Sequence, residues 1–117
     1  MSKHKASELA HLTTRQLMAR RRRLAERLVD LNVVLAGTLV TQSRRCGKAG
    51  CRCAAGDPHG PYTYLSSGAD GASRLRYVPA DLVTAVTRRL TATAALEALL
   101  AAISAINTEL LARRELD

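Results

Sequence analysis

The chain has no tryptophan and no phenylalanine, and its only aromatic residues are Tyr62, Tyr64 and Tyr77. A core must therefore come from Leu, Val, Ile and Ala, a set that suits helix packed on helix better than a compact mixed core. In 117 residues there is room for one domain. A small region without large apolar side chains needs a staple, such as a metal, a disulfide or a second subunit. Cysteine is scarce too: three residues, an odd number, do not form a closed disulfide framework. No run reaches the ~18 apolar residues of a membrane span, and MSKHKASELAHL lacks the apolar centre of a secretory signal. These absences predict a cytoplasmic protein with reduced thiols and no membrane partner. A phosphate loop in a strand–loop–helix frame and an arguable Ser-His-Asp arrangement are also missing, so the expectation is a protein that is not an enzyme.

Negative charge is scarce in one half only. Residues 1–56 carry twelve Lys/Arg against three Asp/Glu, whereas residues 57–117 carry six against seven. The formal net charge of +8 thus belongs to the first half. Such a field attracts polyanions, chiefly nucleic acid or an anionic membrane surface, although a charged face can also serve solubility alone.

Hydrophobic periodicity predicts a mainly α protein with a small β/zinc tip. A first helix is expected over residues 7–36, starting at Ser7 or at Thr13, where Thr13-Thr14-Arg15-Gln16 has capping-box spacing. Leu17, Leu24, Leu28, Leu31 and Leu35 form its apolar stripe, and Gly37 is placed to end it. The tip spans residues 38–79. TLVTQSRR (Thr38 to Arg45), PYTYLSS and SRLRYV (Ser73 to Val78) read as three strands, with GADGA as the turn of a hairpin. Pro79 stops the third strand. A second long helix is expected over residues 80–116, with Leu82, Val86, Leu90, Leu96, Leu100, Ile103 and Leu110 as its stripe and Leu99 and Ile106 widening it. It carries more apolar surface than one partner helix covers. The expected architecture is therefore two long antiparallel helices, a coiled-coil-like hairpin joined by the tip, paired as a homodimer. Thr91-Ala92-Thr93-Ala94 is the weakest point of the second helix.

All three cysteines and one histidine fall within RRCGKAGCRCAAGDPHGPYTY. Cys46, Cys51, Cys53 and His59 offer three thiolates and an imidazole, the donor set of a closed structural zinc site. Gly47 and Gly50 let the backbone wrap between the first two sulfurs. Cys51 and Cys53, two apart, would face one way in an extended segment. Arg45, Lys48 and Arg52 offset the charge of a Zn(Cys)3(His) unit. Catalytic or redox thiols are the rival reading, but a redox pair wants Cys-x-x-Cys, and a catalytic zinc wants an open position and a base. Asp57 or water is the alternative fourth ligand.

The stretch Gly37 to Pro79 resembles a family of short, uncharacterised bacterial proteins that share Cys-Gly-Lys-x-x-Cys-x-Cys, then His-Gly-Pro-Tyr and a strand pair ending in Tyr-Val. The matching residues here are Cys46-Gly47-Lys48, Gly50-Cys51, Cys53, His59-Gly60-Pro61-Tyr62 and Tyr77-Val78. Family members often have proline where this chain has Ala49 and an aromatic where it has Thr63 or Tyr64, and neither departure touches a proposed ligand. The resemblance implies association with mobile-element and phage genes and supplies no mechanism.

Arg20, Arg21, Arg22 and Arg23 occupy consecutive helical positions. They read as a phosphate-contacting patch or as a solvated charged face, with Arg21 at the edge of the leucine stripe. Arg44, Arg45, Lys48 and Arg52 surround the metal. Arg74 and Arg76 share one face of the third strand, and Tyr62 and Tyr64 share one face of the second. If those faces coincide, the tip joins aromatic to cationic groups and can grip bases or backbone. His4 and His11 receive no role. The sequence thus points to a zinc-stabilised protein that binds nucleic acid, DNA first, as an accessory or regulatory factor. The alternative is an interaction adaptor whose apolar C-terminal helix recruits a protein partner, for example a mobile-element recombinase.

Overall fold

The computed structural model describes residues 8–27, 30–68 and 74–117. The expected start at Ser7, the frayed residues 1–6, Leu28, the turn beyond Gly68 and Ser73 lie outside them. The chain divides into two compact units, residues 1–32 with 94–117, and residues 33–93.

In the first unit, α1 (Thr14–Ala25) starts at the predicted capping box: the Thr13 side chain accepts from the Gln16 backbone N–H at 3.1 Å, and Gln16 Oε1 accepts from the Thr13 N–H at 2.8 Å. A helical turn at 8–10 precedes it. Leu9 and Leu17 bury against Ala105, Ile106 and Leu110 of α2 (Val83–Ala112), with Leu12, Met18 and Leu24 packed beside them. Arg113 knits this core together. Its guanidinium donates to the carbonyls of Leu12 at 2.7 Å and Leu9 at 3.2 Å and to Thr14 Oγ1 at 3.3 Å, and it pairs with Glu109 at 3.2 Å. The helix ends in a Schellman turn: Glu115 N–H donates to Leu110 O at 2.8 Å and Arg114 N–H to Leu111 O at 2.9 Å. Arg114 takes the left-handed position, φ 59°, that glycine usually fills.

The second unit is built on an antiparallel sheet of β1 (Thr38–Arg44), β2 (His59–Ser67) and β3 (Arg74–Val78), in that order. All three predicted strands form. Register pairs Val40 with Tyr64 and Tyr64 with Tyr77 on one face, and Leu39 with Leu65 and Leu65 with Arg76 on the other. Leu65 and Val78 are buried. Short 3-10 turns occupy Leu31–Val33, Arg52–Ala54 and Ala80–Leu82.

Two long antiparallel helices in a coiled-coil hairpin do not form. α1 stops at Glu26, far short of residue 36. Asp30 Oδ1 instead accepts from the Asn32 backbone N–H and side-chain amide, both at 3.0 Å, a local turn that competes with helix. The stripe ends with it, since Leu31 is 68% exposed. Gly37 caps no helix. It leads into β1 at φ +138°, so close to β2 that a Cβ would lie 2.7 Å from Ser66 O.

One long helix remains among the described residues. The 30 residues of α2 span about 45 Å. Thr93 does not break it: its buried hydroxyl donates to Arg89 O at 2.8 Å and accepts from the Leu35 N–H at 2.9 Å. Of the expected stripe, Ile106 and Leu110 are buried, but Leu82 is 48% and Leu100 58% exposed, and Ala105 is buried in addition. Over Ala80–Ala112, an 18-residue window reaches a mean hydropathy of 1.5, so by length and composition this helix can cross a membrane. That corrects the expectation that no segment is apolar enough. Alanine supplies much of the apolar character, and Glu97 falls inside every such window.

Candidate metal centre

The antiparallel pairing of β1 and β2 sets Arg44 opposite His59. The intervening loop is thereby closed at its base, with Cys46 just past one strand and His59 as the first residue of the other. Gly47, at φ +78°, turns the chain in a left-handed step. Cys51 is extended, but Cys53 lies in the 3-10 turn Arg52–Ala54. The two sulfurs are thus brought together by a turn and not by a shared strand face.

The four donor atoms of Cys46, Cys51, Cys53 and His59 all lie within 4.8 Å of one another. Cys46 Sγ is 3.5 Å from Cys53 Sγ, and Cys51 Sγ is 3.1 Å from His59 Nε2. A tetrahedron with metal–sulfur bonds of about 2.3 Å has sulfur–sulfur edges of about 3.8 Å, so this spacing fits one shared ion. The thiols are not joined as disulfides. Cys53 is buried, Cys51 half-buried, and Cys46 and His59 are exposed.

Backbone donors aim at every sulfur. The Cys46 thiol is pulled down to about 6, first by the Lys48 N–H and then by His59 and the two other sulfurs. Cys51 is lowered, chiefly by the N–H of Cys53. Cys53 moves up: the Cys46 N–H, at 3.3 Å, favours its thiolate, but burial and the neighbouring sulfurs together outweigh that donor. His59 is raised by Cys46 and then Cys51. Hydrogen bonds that favour the thiolate at Cys46 and Cys51 prepare the cluster to exchange protons for a cation.

Arg45, expected to face nucleic acid, reaches into the loop. Its guanidinium donates to Cys53 O and to Gly56 O, the latter at 2.9 Å. Lys48 and Arg52 are exposed. Arg44 extends over the Tyr64 ring, 5.0 Å from its centroid, and donates to Gln42 Oε1 at 3.1 Å. Arg74 and Arg76 do not share the face of Tyr62 and Tyr64, because register sets Arg76 beside Leu65. The tyrosines are joined instead by Tyr77. Its ring meets Tyr62 edge-to-face at 6.2 Å and Tyr64 at 5.9 Å. Tyr77 was missed as a site residue, because its grouping with Tyr62 and Tyr64 depends on a register that the sequence leaves open. In the first unit, Arg20 pairs with Glu8 at 3.7 Å. Arg21 is half-buried, donating to Asn107 at 2.8 Å and pairing with Asp117 at 2.7 Å. Arg22 and Arg23 are exposed in the last turn of α1.

A fold of one long helix and a three-stranded sheet, carrying a Cys3His group on the loop between its first two strands, defines a small candidate metal-binding protein. The chain matches the family model described as a domain of unknown function, DUF6788, over residues 14–88, and belongs to that family. No curated protein and no solved structure matches it.

Proposed function

We propose that the protein is a zinc-stapled, non-enzymatic nucleic-acid-binding factor, with DNA as its first candidate ligand. The carrying observation is charge gathered around a fixed loop. The unit that bears the Cys3His group has eight Lys/Arg against three Asp/Glu, and Arg44, Lys48 and Arg52 on or beside the loop are exposed. Zinc suits the donor set, since thiolate and imidazole prefer it to magnesium or calcium. Its role is structural: all four positions are filled by protein, and no open position is left for substrate. Arg22 and Arg23 offer further phosphate contacts, whereas Arg20 and Arg21 are engaged by Glu8 and Asp117.

The test is metal assay followed by binding to duplex and single-stranded DNA over a salt series. One zinc per chain is expected, with affinity falling steeply as salt rises, by about 0.9 log units per log of salt for each phosphate neutralised on duplex. Absence of binding to either form at low salt would refute the reading.

The adaptor reading has its own support. Only 17% of the apolar window of α2 is buried, and Leu100 and Leu111 are 58% and 61% exposed. A second copy or a protein partner would cover them, and Leu111→Glu should then lower the mass seen by light scattering or abolish partner capture.

A further inference from the structure

The tyrosine face of the sheet has a feature that charge alone does not explain. Every aromatic ring in the protein lies on it. Tyr62 is 38% and Tyr77 53% exposed, costly for rings in a chain with so few large apolar side chains. The rings are held in order. Tyr77 is central, with Tyr62 at 78° and Tyr64 at 67° to its plane, and Arg44 extends over Tyr64 with Gln42 fixing its guanidinium. No Asp or Glu occurs in any of the three strands. β1 leads straight into the loop that carries Lys48 and Arg52.

We propose that this face binds unpaired bases of single-stranded nucleic acid by stacking on Tyr62 and Tyr77, with Arg44 and the loop cations on the phosphates. This deepens the nucleic-acid reading and rests on it. Spacing selects single strands. The Tyr62 and Tyr77 rings, on neighbouring strands, lie 6.2 Å apart with their planes at 78°, whereas successive bases of a duplex strand are parallel and rise about 3.4 Å. Neighbouring ring sites therefore suit bases that have left their own stack, and the bases within a duplex have no free π-face to offer. The cationic surround matches the phosphates and disfavours an acid-free self-pairing of the same face.

The protein provides its own probe. Without tryptophan, its intrinsic emission comes from these three rings alone. Titrating the zinc-loaded full chain with an oligothymidylate of about 15 nucleotides should quench that emission, and a duplex of equal length should not. Tyr77→Leu should weaken oligothymidylate binding roughly 5- to 150-fold, the range for one base–ring stack, and leave duplex binding unchanged, while Tyr77→Phe should retain most of the affinity. Melting temperature and zinc content of each variant check the fold. Equal binding by Tyr77→Leu and wild type, with salt-dependent binding intact, would overturn stacking and leave the nucleic-acid reading standing. No binding by wild type to either DNA would remove both. A fall in molecular mass of Tyr77→Leu in light scattering would instead assign the face to contact between copies.

Discussion

Replacing Arg45 by Met should weaken zinc binding by about 10- to 100-fold without touching a ligand. The guanidinium donates to the carbonyls of Cys53 and Gly56, and so fixes the far side of the loop that presents the one buried sulfur. It also places a fixed positive charge beside the Cys3His group, which with zinc bound would carry a formal charge of −1. Met preserves the apolar stem and removes both effects. Groups that orient ligands in this way are worth about 10- to 100-fold in metal affinity, or about 1.4–2.8 kcal/mol. Competition with a chromophoric chelator measures this directly. Arg45→Lys should fall between, because a point charge remains but a forked donor does not. Were Arg45→Met to bind zinc within about twofold of wild type, the four ligands would set the loop by themselves and the strut argument would fail.

Three other outcomes follow from the same geometry. Zinc affinity should fall as pH falls, because the metal-free cluster holds protons on Cys53 and His59, both raised, and gains another as Cys46 titrates near 6; each proton displaced per zinc steepens the fall by about tenfold per pH unit, and a flat profile would contradict it. Arg113→Ala should destabilise the unit it knits by about 2 kcal/mol in denaturant melts, since several carbonyl and carboxylate acceptors lose a charged donor; a loss below about 0.5 kcal/mol, as for an ordinary surface ion pair, would show the network to be ornamental. Arg114→Gly should raise stability by about 0.5–1 kcal/mol, by relieving the left-handed residue at φ 59°.

What the sequence made legible was local. The capping box at Thr13 and Gln16, the alternation in the three strands and the clustering of Cys46, Cys51, Cys53 and His59 each act over a few residues, and each is formed. What it hid depended on partners distant in sequence. The leucine stripe of the first helix continues on paper through Leu31, yet the side chains of Asp30 and Asn32 close a turn there. Asp and Asn in DLNVV were the available signal, and helical periodicity outweighed it. Gly37 is required by the backbone and side chain of β2 and not by a helix end. The role of Arg113 spans about 100 residues of sequence, and no spacing announces it. Strand parity already set Arg76 and Tyr77 on opposite faces, but only the pairing of Tyr64 with Tyr77 joined the latter to the other rings.

The metal and the tyrosine face should be coupled through Arg44. This residue ends β1 opposite His59, where the register slips between Gln42 and Arg44, so the ladder by itself does not fix its direction. Gln42 holds the guanidinium, and a shared ion would add a second restraint, because Cys46 and His59 would tie to it the two strand ends beside Arg44. An exposed cation such as Arg44 over a ring is worth about 0.5–1 kcal/mol, too little to persist once the strand ends part. Removing zinc should then weaken single-strand binding through the same contact that Arg44→Ala removes. The two perturbations should be non-additive: zinc-loaded Arg44→Ala loses part of the affinity, and chelation afterwards costs it less than chelation costs wild type. Quenching of tyrosine emission by oligothymidylate, with and without chelator, reads all four corners of that cycle. Strict additivity would mean that the metal supports the fold and leaves the tyrosine face alone.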